Sequence, residues 1–210
     1  MRPDMITNDK DTRERISRKA HDLIMKYGIR SVSMDDIANA LGISKKTIYQ
    51  YYSDKDELVD AIVEGILCEN EGQCKQYRTG ASNAVDEVWS TKQMMRDMFT
   101  NMNPSVLYDM QKYHPKAFSR FLKHKNDFLY MLIKTNIEKG IAEELYRPDL
   151  NVEIMTRFRV ESMLMAFNPD FFSKSKHSLL EVEEQLLEHF LFGIASLKGH
   201  KLILKYKQES

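Results

Sequence analysis

From Ser44 to Lys55 the sequence reads Ser-Lys-Lys-Thr-Ile-Tyr-Gln-Tyr-Tyr-Ser-Asp-Lys, gathering ammonium, hydroxyl and amide groups around a single carboxylate. These are the groups that hydrogen-bond phosphate oxygens and base edges. Wound as a helix, the run sets Ile48 and Tyr52 one turn apart on one side and Lys46 and Gln50 on the other. Thr47 and Tyr51 border the outward face on one edge, Tyr49 on the other. This is a short helix with an apolar anchor and a polar face turned to something outside the chain. Thr47 and Gln50 are expected near base edges, and Lys46 at either bases or phosphates. Tyr49, Tyr51, Lys55 and the Ser44 region are expected at phosphates, with Ser33 and Lys45 completing the set that faces DNA. The competing reading for any one of these residues is an ordinary solvated side chain.

Such a helix needs elements to hold it, and the flanking sequence supplies them. Ser33 can cap a helix that starts at Met34, with Asp36 three residues on closing a capping box. Gly42 offers the backbone freedom needed where that helix stops. Ser44 caps the next helix, and Ser53, followed by Asp56, is expected to cap a third. Ile37, Ala38, Leu41, Ile43, Ile48, Tyr52 and Leu58 are the expected buried set. Two short helices joined by a tight Leu41-Gly42-Ile43 turn make a helix-turn-helix, whose second helix enters the major groove. An earlier helix, Thr12 to Tyr27, frames the motif with a stripe of Ile16, Ala20, Leu23, Ile24 and Tyr27. Residues 1–11 are polar and read as a loose arm.

These residues carry a family resemblance. The first helix, then Gly28, Ser33-x-x-x-Ile37-Ala38, and Gly42-Ile43-Ser44-x-x-Thr47-Ile48-Tyr49 resemble the TetR family of bacterial transcriptional regulators. Tyr52 to Leu58 is similar to that family's entry into its fourth helix. The match covers residues 12 to 60, and beyond it the likeness is of length and helical layout alone. The resemblance implies a homodimer with an N-terminal DNA-binding domain and a C-terminal domain that often binds a small effector. We therefore expect an all-α fold: a three-helix helix-turn-helix domain over residues 1–55, then a larger helical ligand-binding and dimerisation domain over 56–210.

Composition is compatible with this. Among 210 residues there are five prolines and eight glycines, and 31 basic residues balance 31 acidic ones. Zero net charge speaks against a general nucleic-acid coat and leaves room for a few placed contacts. The N-terminus lacks the apolar core of a signal peptide, and no run reaches the length of a membrane span. Cys68 and Cys74 lie six apart on an expected helix, unable to pair within it, and read as reduced thiols of a cytoplasmic protein. No phosphate loop, nucleophile elbow or metal spacing is present, so no catalytic residue, metal or cofactor is expected.

Further helices are expected at 54–77, 84–101, 104–113, 116–139, 148–167 and 178–206, with a loop at 78–83 and a stop at Asn168-Pro169. The last helix carries more apolar residues than one stripe needs, which suits either pairing with a second copy or a central place in its own subunit. We expect the dimer to form through these last two long helices. Met and aromatic residues crowd the C-terminal half, serving equally as core or as pocket lining. The candidates for contact with a small apolar or amphipathic effector are Met98, Tyr130, Phe158, Glu161 and Met165. Two other readings remain open on sequence: a ligand-independent regulator acting through a protein partner, and a helical small-molecule enzyme.

Overall fold

The computed structural model describes residues 3–168 and 177–209, and among these every regular element is helical. The helices are α1 (Pro3–Tyr27), α2 (Met34–Leu41), α3 (Lys45–Tyr49), α4 (Lys55–Gly80), α5 (Ala84–Phe99), α6 (Ser105–Tyr113) and α7 (Pro115–His124). A π-helical turn, Lys125–Leu129, leads into α8 (Tyr130–Ala142). Then come α9 (Val152–Ser162), a 3-10 turn (Met165–Phe167), α10 (Leu179–Ile194) and α11 (Leu197–Glu209). None of them is long and apolar enough to cross a membrane.

Packing divides the chain into two compact units. One takes in Met1–Cys68 and Asn101–Phe121, the other Glu69–Thr100 and Leu122–Ser210. The sequence division at residue 55 is one of expected roles; by packing, the first part of α4 and all of α6 belong with the N-terminal helices.

In the first unit the core is built from Ile16, Ala20 and Ile24 of α1, Ile37 and Ala38 of α2, Ile48 and Tyr52, and Leu58, Val59 and Ile62 of α4. Val106 and Met110 of α6 and Ala117 of α7 join the same cluster. Charge fixes α7 to α4 here. Arg120 donates Nε and Nη2 to the two oxygens of Asp60 at 3.0 and 3.1 Å, and Nη1 to Glu64 at 3.0 Å. The Arg120 guanidinium holds the Asp60 carboxyl below its ordinary range.

In the second unit α5, α8, α10 and α11 surround Ala84, Val85, Ile137, Tyr146, Leu187, Leu191, Ile194 and Ile203. Tyr146 is the polar centre of this core. Its hydroxyl lies 3.1 Å from both the Ala84 carbonyl and Asn136 Oδ1, and Asn136 Nδ2 donates to the same carbonyl at 3.0 Å. Every buried polar atom of that trio is thereby used.

Several boundaries differ from the sequence expectation. The polar residues from Pro3 to Asp11 continue α1 instead of forming a loose arm, and Tyr27 is half exposed instead of core. The expected loop at 78–83 shrinks because α4 runs on to Gly80. The helix expected over 116–139 carries the π-helical turn within it. The one expected over 148–167 begins only at Val152, capped by Asn151, and is over at Ser162. Pro169, expected to stop it, lies outside the described residues. The last helix divides in two because Ala195 is extended and bridges Tyr146. Arg147 N donates to the Ile194 carbonyl and Ser196 N to the Leu145 carbonyl, each at 2.9 Å, which draws the chain out of its helical path.

Candidate nucleic-acid interface

The α2–α3 unit is fixed by local chemistry at each joint. Ser33 Oγ accepts from Asp36 N at 3.1 Å while the Asp36 carboxylate accepts from Ser33 N at 2.8 Å, completing the capping box. The Ser33 donors hold the Asp36 carboxyl below its ordinary range. Gly42 sits at φ 66°, ψ 31°, the left-handed region, and the Ile43 amide reaches back to the Ala38 carbonyl at 3.1 Å. That bond turns the chain from α2 towards α3 and satisfies a carbonyl that the ended helix leaves bare.

At the start of α3, Ser44 Oγ accepts from Thr47 N at 3.0 Å and shares a hydrogen bond with Thr47 Oγ1 at 2.8 Å. The helix is only five residues long, too short to stand by itself. Burial holds it: Ile48 is 0% and Tyr52 2% exposed. The Tyr52 hydroxyl also donates to the Arg13 carbonyl of α1 at 3.1 Å, and the Arg13 guanidinium lies over its ring, 5.1 Å from the centroid. The anchors therefore do what their spacing predicts.

The outward residues fall into two groups. Lys46, Tyr49 and Gln50 are exposed, and their side chains make no hydrogen bond among the described residues. Tyr49 leaves 44% of its surface in solvent, a large aromatic ring on a very short helix. The others are engaged within the chain. Lys45 Nζ donates to Asp35 at 2.7 Å, which raises its affinity for its proton. The Tyr51 hydroxyl donates to Asp9 Oδ1 of α1 at 2.9 Å, a bond that pushes its pKa up. Thr47 is half-buried, its hydroxyl shared with Ser44.

Lys55 departs most from expectation. Its Nζ is turned inward onto the Ile29 carbonyl at 2.6 Å, and burial lowers its pKa. Without DNA this lysine is thus engaged with its own backbone, unlike exposed Lys46. The third cap also moves by one residue. Asp54, not Ser53, accepts from Glu57 N at 2.8 Å, and Glu57, not Asp56, reaches back to Ser53 N at 2.7 Å. Asp35, Asp9 and the Ile29 carbonyl escaped the sequence reading because each lies in another segment from its partner.

Asp56 contributes instead to an open cleft of about 360 Å³ lined by Ser53, Asp54, Glu57, His114, Pro115, Lys116 and Ala117 as well. His114 is buried, with Nδ1 2.6 Å from Asp56 Oδ1 but outside hydrogen-bond geometry.

None of the five effector candidates of the C-terminal half lines this cleft. Met98 and Met165 are half-buried, and Tyr130 lies under the Arg157 guanidinium at 5.3 Å. Phe158 is 49% exposed and stacks on Phe190 at 6.5 Å. Glu161 faces outward and accepts from Lys125 Nζ at 2.8 and 2.9 Å, so it does not point into a cavity. Arg159 and Glu183 are buried, and Glu183 had a sequence signal that went unread, a carboxylate placed on the apolar stripe of Leu179, Leu187 and Phe190.

Comparison with known proteins agrees with the local architecture. The model of the bacterial regulatory proteins, tetR family, matches residues 16–62, from the α1 anchor Ile16 to the α4 core residue Ile62. The uncharacterized HTH-type transcriptional regulator YvaF of Bacillus subtilis (strain 168) is 27% identical over 190 residues, 87% of this chain and 95% of its own. The HTH-type transcriptional repressor KstR2 of Rhodococcus jostii (strain RHA1) is 26% identical over 142 residues, 65% of this chain and 68% of its own. Among solved structures, the transcriptional regulator FadR from Bacillus subtilis in complex with stearoyl-CoA shares the fold. Its TM-score is 0.61 at 14% identity, over 86% of this chain and 98% of its own. With its capped α2–α3 unit inside the segment that matches the tetR family, this chain is a DNA-binding transcriptional regulator.

Proposed function

We propose that the chain is a ligand-responsive repressor that binds a pseudo-palindromic operator as a homodimer. The observation that carries this reading is the α3 surface: Lys46, Tyr49 and Gln50 stand exposed and uncommitted on a helix whose inner face is fully anchored. In the complex Gln50 meets base edges, Lys46 a base edge or a phosphate, and Tyr49 and the Ser44 turn meet phosphates. Ser33, Lys45, Thr47 and Tyr51 hold the shape of this face and approach the backbone from its rim. Repression is by occlusion of a promoter, and the chain acts in the cytoplasm as a regulator, without catalysis of its own.

The C-terminal unit supplies dimerisation and the effector site. The stearoyl-CoA complex of FadR, similar in fold, supports a small amphipathic effector. Such a ligand works only through a difference in affinity between the DNA-competent and incompetent states. Selection of duplexes from random oligonucleotides tests the proposal directly. Enrichment of a site with two-fold symmetry is the expected result, and enrichment of no sequence would overturn it.

A further inference from the structure

Two ionisable side chains are enclosed in the C-terminal unit with bonding capacity left over. Arg159 of α9 is 5% exposed and Glu183 of α10 is 1% exposed. Nη1 of Arg159 and Oε1 of Glu183 are both shut off from solvent, and neither has a hydrogen-bond partner. The two charges attract each other, yet no nitrogen–oxygen contact within 4.0 Å joins them among the described residues. Elsewhere this chain closes its ion pairs directly, as Arg120 does with Asp60 at 3.0 and 3.1 Å and Lys125 with Glu161 at 2.8 and 2.9 Å. Arg159 and Glu183 are built differently.

The surroundings do not complete the bonding. The Phe190 ring lies below the guanidinium, 5.7 Å from Cζ to centroid, favouring the cation without accepting its in-plane N–H. Ser162, one turn further along α9, donates its hydroxyl to the Arg159 carbonyl at 2.9 Å and so does not serve the side chain. A buried donor and a buried acceptor left unmade cost more than an ordinary hydrogen bond contributes. One group between them that accepts from Arg159 and donates to Glu183 would satisfy both.

We propose that Arg159 and Glu183 form the polar end of the effector site and take a neutral group that accepts and donates at once, a primary amide or an alcohol on an apolar molecule. A carboxylate there would meet Glu183, and an ammonium would meet Arg159. The apolar part of the ligand is received by the turn that follows Arg159, which packs against both α9 and α10. That 3-10 turn begins at half-buried Met165, with half-buried Met163 two residues before it, and their unbranched chains repack readily. This proposal rests on the ligand-responsive reading given above and supplies its ligand class.

The test is calorimetric titration of the full-length protein, without DNA, with octanamide, octanol, octanoate and octylammonium. Octanamide and octanol are expected to bind at least about tenfold more tightly than the two charged probes. Glu183→Gln leaves Arg159 without a counter-charge, and the preference should pass to octanoate. Arg159→Met with Glu183→Leu replaces the pair by apolar side chains of similar size, an exchange that buried ion pairs often tolerate, and should lose octanamide binding. Binding of none of the four probes by the unaltered protein would overturn the proposal. So would a preference for a charged probe, or octanamide binding that survives in the double variant. If the double variant does not fold, the Glu183→Gln preference decides. Failure here leaves DNA selection by α3 standing, and failure of DNA selection leaves this binding result standing.

Discussion

Lys46 and Lys55 carry the same charge in neighbouring helices and do different work. Lys46 has an exposed ammonium and nothing to bond in its own chain, whereas Lys55 is bound to the Ile29 carbonyl at 2.6 Å. Lys46→Ala should weaken operator binding and reduce the salt-dependence slope by about one ion. Lys55→Ala should leave the slope alone and cost about 1–2 kcal/mol of stability by removing a charge-assisted bond. Gel-shift titrations at several salt concentrations, with urea melts of both variants, separate the two roles; a changed slope for Lys55→Ala would return that lysine to the interface. Burial raises the Glu183 carboxyl from its ordinary 4.5 to about 7, against the attraction of Arg159. Because the folded state holds this proton more tightly, the contribution is full below about pH 4.5 and is lost as pH climbs through about 7. Stability should fall by up to about 3 kcal/mol across that window. Glu183→Gln, which cannot ionise, should flatten that part of the profile in denaturant melts at stepped pH.

At the scale of elements, what could be read in the sequence was what the sequence decides locally. Ser33, Gly42 and Ser44 act on residues three to five positions away, and α2 and α3 begin and end where those residues say. The last helix was misread because its break is made from afar, by the bridge between Tyr146 and Ala195 and the bond from Ser196 N to the Leu145 carbonyl. The internal bond of Lys55 is hidden from the sequence for the same reason, its partner lying in the segment between α1 and α2. The effector site is the least legible in sequence, since Met and aromatic content does not say which side chains face inward. Tyr146 also imposes an element-scale requirement. A Cβ on Gly140 would overlap its ring, whereas a Cβ on Gly65, inside α4, would meet open space. Gly140→Ala should therefore destabilise the protein by about 2–3 kcal/mol through overpacking. Gly65→Ala should stabilise it by about 0.5–1 kcal/mol through helix propensity. Thermal melts of the two variants should move in opposite directions; equal shifts would contradict the packing around Tyr146.

For the whole molecule the question is how a chain of zero net charge holds DNA at all. One α3 presents few free contacts, so affinity has to come from two copies acting on one site, which links binding to dimerisation. We propose that the copies meet on the apolar surface of the C-terminal unit. On α10 the apolar excess is largely spent inside, with Leu179, Val182, Leu187, Phe190, Leu191 and Ile194 all buried. On α9, Ile154 is 57% and Phe158 49% exposed, one turn apart on the same face. In this proposal the interface expected from the last two long helices is carried chiefly by α9, and half-buried Leu180 and Leu186 are what α10 has left to add. Ile154→Asp places a charge on that face without removing any described contact of the chain's own core. It should convert the dimer to a monomer in sedimentation while leaving the circular dichroism unchanged. Operator affinity should fall by at least about a hundredfold, because the second α3 no longer comes at high effective concentration. A variant that stays dimeric would move the interface away from α9, and one that turns monomeric yet binds the operator undiminished would break the link between assembly and affinity.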